Sequence, residues 1–217
     1  GGNVPPLLGL ARRLVDRGHI VRVISDPANE REARGVGCDF VTYTRAPHRN
    51  DKSASSTIVK DYDAKTPTQA LHIYMNKVSA GPALAYAQDV LEELEKHPVD
   101  VVVVCEGLFG GHFAAEKAHI PSVMVIPSGY NFYAPGMPIP GMLPRSGLIG
   151  WLQDKVYATV FRRITAYALP GLSNARKALG LSELHSFDLF MTRFDRILLL
   201  TSSAFDFPAK LPPNVRY

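Results

Sequence analysis

Two residues that could move a proton stand close together in the stretch CEGLFGGH, which covers positions 105–112. Glu106 directly follows a run of β-branched residues, and His112 comes six positions later. A carboxylate and an imidazole at one site can act as general base and general acid. We therefore predict catalytic roles for Glu106 and His112. Simpler alternatives stay open: a carboxylate favoured by the positive end of the next helix, and a structural or surface histidine.

A second candidate region is the proline- and glycine-rich stretch Pro127–Gly147. Its aromatic and Met side chains can form a broad apolar surface that adapts to a flat ligand. The alternative is a loop that folds back onto its own core. The residues predicted to bind an apolar acceptor, with one from each flanking helix, are Phe109, Tyr130, Phe132, Met137, Met142 and Trp151.

Helices and strands must alternate to position these two regions. Short apolar runs predict strands at His19–Ser25, Cys38–Thr44, Asp100–Cys105, Ser122–Ile126 and Arg196–Leu200. Helical periodicity predicts helices at Pro5–Gly18, Asn29–Arg34, Pro67–His97 with a break near Gly81, Phe109–His119, Leu148–Tyr167 and Leu172–Leu179. The continuous β-branched run of the third strand is typical of a strand buried on both faces. This alternation predicts an α/β fold with a Rossmann-like, doubly wound parallel sheet.

Ligands of an open parallel sheet bind beyond the carboxyl ends of its strands. The rule selects the loops after each strand, including the one that holds Glu106 and the stretch Pro127–Gly147. It also selects the polar segment Arg45–Thr66, which we expect to be a surface loop. The opening loop GGNVPP also leads into a helix, because Pro5 and Pro6 suit the entry to a helix.

Composition excludes several classes of function. The net charge of +4 comes without a basic stripe interleaved with aromatics, so we expect no nucleic-acid partner. No apolar run approaches the roughly 20 residues of a membrane helix, so we expect no transmembrane segment. Cys38 and Cys105 fit buried thiols better than a disulfide framework or a metal site, which favours a cytoplasmic location. Neither GxGxxG nor GxxxxGK[ST] occurs, which argues against a dehydrogenase or an NTPase.

Four blocks in the same order resemble a known family: GGNVPPLLGLARRLVDRGH, GGHFAAEKAHIPSVMVIPS, PGMPIPGMLP and FDFPAKLPPNVRY. They resemble bacterial UDP- or dTDP-sugar glycosyltransferases of natural products such as macrolides, glycopeptides and flavonoids. These enzymes have two facing Rossmann-like domains. The resemblance covers essentially the whole chain and only the N-terminal, acceptor-binding domain of the family.

The resemblance implies a domain organisation and a set of partners. Residues 1–203 would form the acceptor-binding domain and residues 204–217 the start of an interdomain linker, with the C-terminal nucleotide-sugar domain absent. The partners would be a small-molecule acceptor and a UDP- or dTDP-sugar, bound mainly by the absent domain as a co-substrate, with no cofactor and no metal. The fragment alone would then be inactive. A first strand, central in such a sheet, would be missing before Gly1, leaving two neighbouring strands each without a partner on one edge.

The same resemblance places Asn3 at the position where related enzymes have their general base. Related enzymes keep a His or Asp base in the loop after the first strand, and the aligned residue here is Asn3. A neutral amide cannot accept the proton of an acceptor hydroxyl at physiological pH. Asn3 would then orient the acceptor with Glu106 or His112 as base, or an acidic phenol acceptor would need little help.

Two further alternatives stay open at this point. One is a non-catalytic small-molecule-binding domain or a catalytically impaired transferase homologue. The other is a glycosyltransferase with a lipid acceptor at a membrane surface. The absence of a basic amphipathic helix argues against the second.

Overall fold

The first helix begins where the two prolines predict it. Pro5 and Pro6 lie in the first turn of α1, where their missing N–H groups leave no hydrogen bond unmade. The computed structural model describes residues 2–60, 64–139, 142–143, 145–207 and 209–217. Its helices are α1 (Val4–Val15), α2 (Glu30–Gly35), α3 (Pro67–Tyr74), α4 (Ala83–Lys96), α5 (Gly110–Ala118), α6 (Gly147–Ala166), α7 (Leu169–Ala178) and α8 (Phe187–Met191).

The strands are short and all run parallel. They are β1 (Arg22–Ser25), β2 (Asp39–Thr42), β3 (Val102–Cys105), β4 (Ser122–Ile126), β5 (Arg196–Leu199) and β6 (Val215–Arg216). β1 pairs with β2, while the other four form a second sheet in the order β3-β4-β5-β6. Helices and parallel strands alternate along the chain, which confirms the predicted α/β class.

The structure corrects the prediction that the third strand is buried on both faces. Among the described residues, β1 pairs only with β2, and the free edge of β3 has no partner strand. Val103 is 42% exposed, although its β-branched run predicted burial on both faces. Val104, the next residue, is buried. Two strands that each lack a partner on one edge are what the resemblance led us to expect.

The core lies between the four-stranded sheet and the helices that cover it. Met124 and Ile126 of β4 are fully buried against aromatic side chains of α5 and α8. α5 also packs closely on α4, because a Cβ atom at Gly110 would lie only 2.3 Å from the carbonyl oxygen of Ala83. This contact fixes where α5 starts relative to the end of β3.

Three elements were not predicted as such. The break near Gly81 is confirmed, and a π-helical turn at Met75–Ser79 precedes it. α8 is a single short turn capped by the Ser186 hydroxyl, and β6 adds two residues of the extended C-terminal segment to the sheet. Single-turn elements carry too few residues for a periodic pattern.

The expected surface loop 45–66 has an anchored start. The Asp89 carboxylate of α4 accepts hydrogen bonds from the backbone N–H groups of Thr44, Arg45 and Ala46 at 3.0–3.1 Å. Asp89 is itself buried. Residues 45–60 and 64–66 form no helix or strand, and the remainder of this segment lies outside the described residues.

Candidate functional site

The carboxyl end of β3 places Glu106 at the edge of the sheet. Cys105 is the last residue of the strand, and a sharp turn follows at Gly107, whose φ of 82° favours glycine. A Cβ atom at Gly107 would lie 2.3 Å from the Tyr74 hydroxyl oxygen. The glycine thus lets Tyr74 of α3 come close to Glu106.

Two amide side chains hold the Glu106 carboxylate. Asn3 Nδ2 lies 3.4 Å from Glu106 Oε1, and Asn131 Nδ2 lies 2.5 Å from Glu106 Oε2. Asn3 also approaches the Cys105 sulfur at 3.6 Å and makes no side-chain cap on α1. We call Asn3, Glu106 and Asn131 the amide bracket. It ties the opening loop, the end of β3 and the loop after β4 together at one edge.

The bracket brings two of the three predicted catalytic residues together and adds one that the sequence did not single out. Asn131 lies in the stretch Pro127–Gly147, which was selected for its apolar residues. Its position in the loop after β4, next to the loop after β3, was the signal that could have identified it.

Burial keeps the groups beside the bracket protonated. Desolvation raises the pKa of the Cys105 thiol to about 11 and that of the Tyr74 phenol to about 12. A thiol with such a pKa is a poor nucleophile at neutral pH. Tyr74 can donate a hydrogen bond, so this edge offers neutral donors around one carboxylate.

A cavity of about 420 Å³ opens at the start of α1, next to the opening loop that holds Asn3. Its walls come from the start of α1, the turn after β1, α2 and the segment after β2. They combine apolar and charged side chains: Val4, Pro5, Leu8, Asp26, Ala28, Asn29, Glu32, Arg49 and Lys52. Lys52 forms an ion pair with Glu32. The volume suits a small-molecule ligand.

His112 lies away from this edge, in the core. It is 2% exposed; its Nδ1 lies 2.7 Å from the hydroxyl of Ser122, the first residue of β4, and its ring stacks on Phe194 at 4.0 Å. Its Nε2 is 3.7 Å from a Glu116 oxygen, beyond hydrogen-bonding distance. Burial lowers the pKa of His112 to about 4. The structure thus does not bring His112 together with Glu106, because α5 turns its side chain towards the amino end of the sheet.

The six predicted acceptor-binding residues divide into two groups. Phe109, Tyr130 and Met137 are 1%, 3% and 8% exposed and belong to the core. Phe132 is half-buried and packs between Tyr130 and Phe187.

The other two predicted residues are open to solvent. Met142 and Trp151 are 54% and 58% exposed. Trp151 and Met137 line a second, smaller cavity of about 200 Å³ between the loop after β4 and α6. Within the described ranges, no three His, Cys, Asp or Glu residues are grouped so that they could hold a metal ion. None of the described helices has the length and apolarity needed to cross a bilayer.

Comparison with known proteins places this geometry in context. No family profile matches the chain. It is 27% identical over 225 aligned residues to the 4'-demethylrebeccamycin synthase of Lentzea aerocolonigenes, covering 100% of this chain and 52% of that protein. Two solved structures share its fold. The calicheamicin glycosyltransferase CalG4 has a TM-score of 0.64 at 19% identity, over 99% of this chain and 49% of that one. The glycosyltransferase VinC, solved in complex with dTDP, has a TM-score of 0.54 at 17% identity, over 98% of this chain and 50% of that one.

These similarities confirm the resemblance to natural-product glycosyltransferases that the four sequence blocks indicated. The fold is that of about one half of such an enzyme, since the chain spans about half the length of the proteins it matches.

Proposed function

We propose that the protein carrying this chain is a glycosyltransferase that moves a sugar from a UDP- or dTDP-sugar to a hydroxyl of a small, largely apolar acceptor. The chain forms the acceptor-binding half. The observation that carries the proposal is that the loops after the strands form both the amide bracket and the 420 Å³ cavity, which meet at the opening loop through Asn3, Val4 and Pro5. These loops lie at the edge at which open parallel sheets bind ligands.

The polar and apolar groups at this edge suit an acceptor with an apolar body and a reacting hydroxyl. Val4, Pro5 and Leu8 give the cavity an apolar wall. Asn3, whose amide cannot take a proton at physiological pH, orients the acceptor. Glu106 holds Asn3 and Asn131 in place through one carboxylate oxygen each. His112 has no part in the transfer, since its ring is enclosed in the core.

The donor would be held mainly outside this chain. Residues 1–203 make up the acceptor domain and residues 204–217 lead towards the domain that binds the nucleotide-sugar, which is a co-substrate; no cofactor takes part. The 217 residues alone would therefore bind an acceptor without transferring sugar to it. We place the reaction in the cytoplasm, where nucleotide-sugars would be available.

A screen of donors and acceptors tests the proposal. The natural protein that carries this sequence is incubated with UDP- and dTDP-sugars and with flat aromatic alcohols and phenols. Mass spectrometry should detect a glycoside, and nucleoside diphosphate should appear in equal amount. If no pair reacts, the transferase proposal fails.

One observation favours a second candidate, a domain that binds a small molecule without chemistry. Asn3 stands where the resemblance places a base. Acceptor binding measured by calorimetry, combined with no glycoside from any donor, would support this alternative. Glycoside formation would exclude it.

A further inference from the structure

We propose that Asp26, in the turn after β1, is the general base that takes the proton from the acceptor hydroxyl. The inference rests on the proposed function and names the residue that fills the role Asn3 cannot. It starts from the position of the carboxylate in the cavity.

Asp26 lies at the carboxyl end of β1 and lines the 420 Å³ cavity together with Val4 and Pro5. Val4 and Pro5 directly follow Asn3 in the opening loop. An acceptor bound in the cavity would therefore contact Asp26 and the residues that directly follow Asn3. Of the two carboxylates in the cavity wall, Glu32 is paired with Lys52, which leaves Asp26 as the candidate base.

Backbone hydrogen bonds hold the turn that carries Asp26. The Arg49 carbonyl accepts from the Ala28 N–H at 3.3 Å, and the Asp26 carbonyl accepts from the Asn29 N–H at 2.9 Å. The turn after β1 is thus tied to the segment after β2. A base held in this way loses little entropy when it meets its substrate.

The surroundings of Asp26 make it a better base than an exposed carboxylate. Burial raises the pKa of Asp26, and the Arg49 N–H together with the charges of His48 and Arg49 offset this only in part. A general base is most effective when its pKa approaches the working pH.

Glu106 provides the contrast. Each of its oxygens accepts a hydrogen bond from an amide, from Asn3 on one side and Asn131 on the other. These hydrogen bonds use the Glu106 carboxylate to hold the opening loop and the loop after β4 together. Glu106 is therefore a positioning residue in this account, and Asp26 is the residue that touches the substrate.

The step balances with the groups named. As the acceptor oxygen attacks the anomeric carbon of the nucleotide-sugar, its O–H bond breaks and the proton goes to Asp26. The bond between the anomeric carbon and the diphosphate oxygen breaks, and its electron pair leaves with the nucleoside diphosphate. Asp26 then returns the proton to water.

Kinetics of Asp26→Asn in the natural protein test the inference. Asn has nearly the same shape as Asp, and the hydrogen bonds of the turn are made by the backbone, so the turn should keep its fold. We expect kcat to fall about 100-fold or more, the size of a general-base contribution. Acceptor affinity, measured by calorimetry without donor, should stay within about threefold. The fall of kcat/KM at acid pH should disappear, and Asp26→Glu should restore part of the rate.

Asp39→Asn is the matched control. Asp39 is an exposed carboxylate at the opposite, amino end of β2, paired with Arg22. The Asp39→Asn substitution should leave kcat and the pH profile of kcat/KM unchanged. Wild-type kcat and pH profile in Asp26→Asn overturn the inference, as does the loss of the acid limb in Glu106→Gln instead. A wild-type protein that forms no glycoside from any donor overturns the proposed function itself, and the role of Asp26 with it.

Discussion

The two titratable residues of the stretch 105–112 end up in opposite environments. Glu106 stands at the carboxyl edge of the sheet, between two amide donors. His112 lies in the core, with Ser122 and Phe194 as its neighbours. The difference follows from α5, which starts between them and carries His112 back towards the amino end of the sheet. Six residues of separation along the chain are enough to divide a site residue from a core residue.

The comparison teaches how to weigh candidate residues in a parallel α/β domain. A polar residue directly after a strand stays at the ligand-binding edge. A polar residue on the first turn of the following helix faces either the solvent or the sheet, according to the helix rotation. For α5 the rotation is set by its close contact with α4 at Gly110.

The largest expected effect comes from breaking that contact. Gly110→Ala puts a Cβ atom 2.3 Å from the Ala83 carbonyl oxygen and 2.6 Å from the Tyr86 Cβ, so α5 must shift. We expect a loss of about 3 kcal/mol in unfolding free energy, at the upper end of overpacking costs. Chemical denaturation monitored by circular dichroism measures it.

Gly9→Ala is the control for this substitution. Gly9 lies inside α1 with no atom within 4 Å of an added Cβ. It should gain roughly 0.5–1 kcal/mol, because Ala favours helix over Gly. Equal effects of the two substitutions would show that the α4–α5 contact is not tight.

His112→Ala should cost slightly less. It removes a buried ring and leaves the Ser122 hydroxyl without that partner, which costs about 2–3 kcal/mol. The exposed His19→Ala should cost less than about 0.5 kcal/mol. The denaturation midpoints of His112→Ala and His19→Ala test this difference in stability. A His112→Ala protein as stable as His19→Ala would contradict the core assignment.

The sequence predicted the α/β class and five of the six described strands. Strand residues and helix periodicity depend on local pattern, so they could be identified from the chain alone. The rotation of α5 and the close approach of α4 depend on packing between distant segments. The sequence therefore assigned Glu106 and His112 to one site, although their side chains point to different ends of the sheet.

The burial of the apolar residues in the loop after β4 was also not predictable from local sequence pattern. Tyr130 and Met142 belong to one stretch rich in aromatic and Met residues, and nothing in their spacing separates them. Tyr130 is buried because its backbone N–H donates to Asp206 at 3.0 Å and its ring enters the core. Met142 remains exposed. Asp26 was passed over because a single carboxylate after a strand carries no motif.

Acid should destabilise the protein through His112. Its folded-state pKa of about 4 lies below the ordinary value of 6.5, so the unfolded chain binds this proton more readily. The stability that His112 contributes is present above pH 6.5 and is lost as the pH falls from 6.5 towards 4. The slope approaches at most about 1.4 kcal/mol per pH unit. Unfolding free energies of wild type and His112→Ala at several pH values isolate the contribution of His112. Parallel curves of unfolding free energy against pH would refute the prediction.

A smaller effect is expected at the rim of the amide bracket. Asn131→Ala removes one donor from Glu106 at an exposed position, which should cost about 0.5 kcal/mol in stability. Because the loop after β4 is then less well held, we expect the acceptor KM to rise severalfold with kcat nearly unchanged. Steady-state kinetics measure both constants, and the exposed Asn50→Ala serves as the control. A normal KM would remove Asn131 from the site.

The most direct test compares the turnover of Glu106→Gln and His112→Ala, each expressed per folded molecule of the natural protein. In Glu106→Gln the new side-chain amide would face Asn3 or Asn131, so two donors would meet and the bracket would open. We predict that Glu106→Gln loses roughly tenfold in turnover through misplacement of the acceptor, with a stability loss of no more than about 1 kcal/mol. His112→Ala should lose stability and keep its turnover. A His112→Ala protein that is fully folded and inactive, beside a fully active Glu106→Gln, would contradict the account.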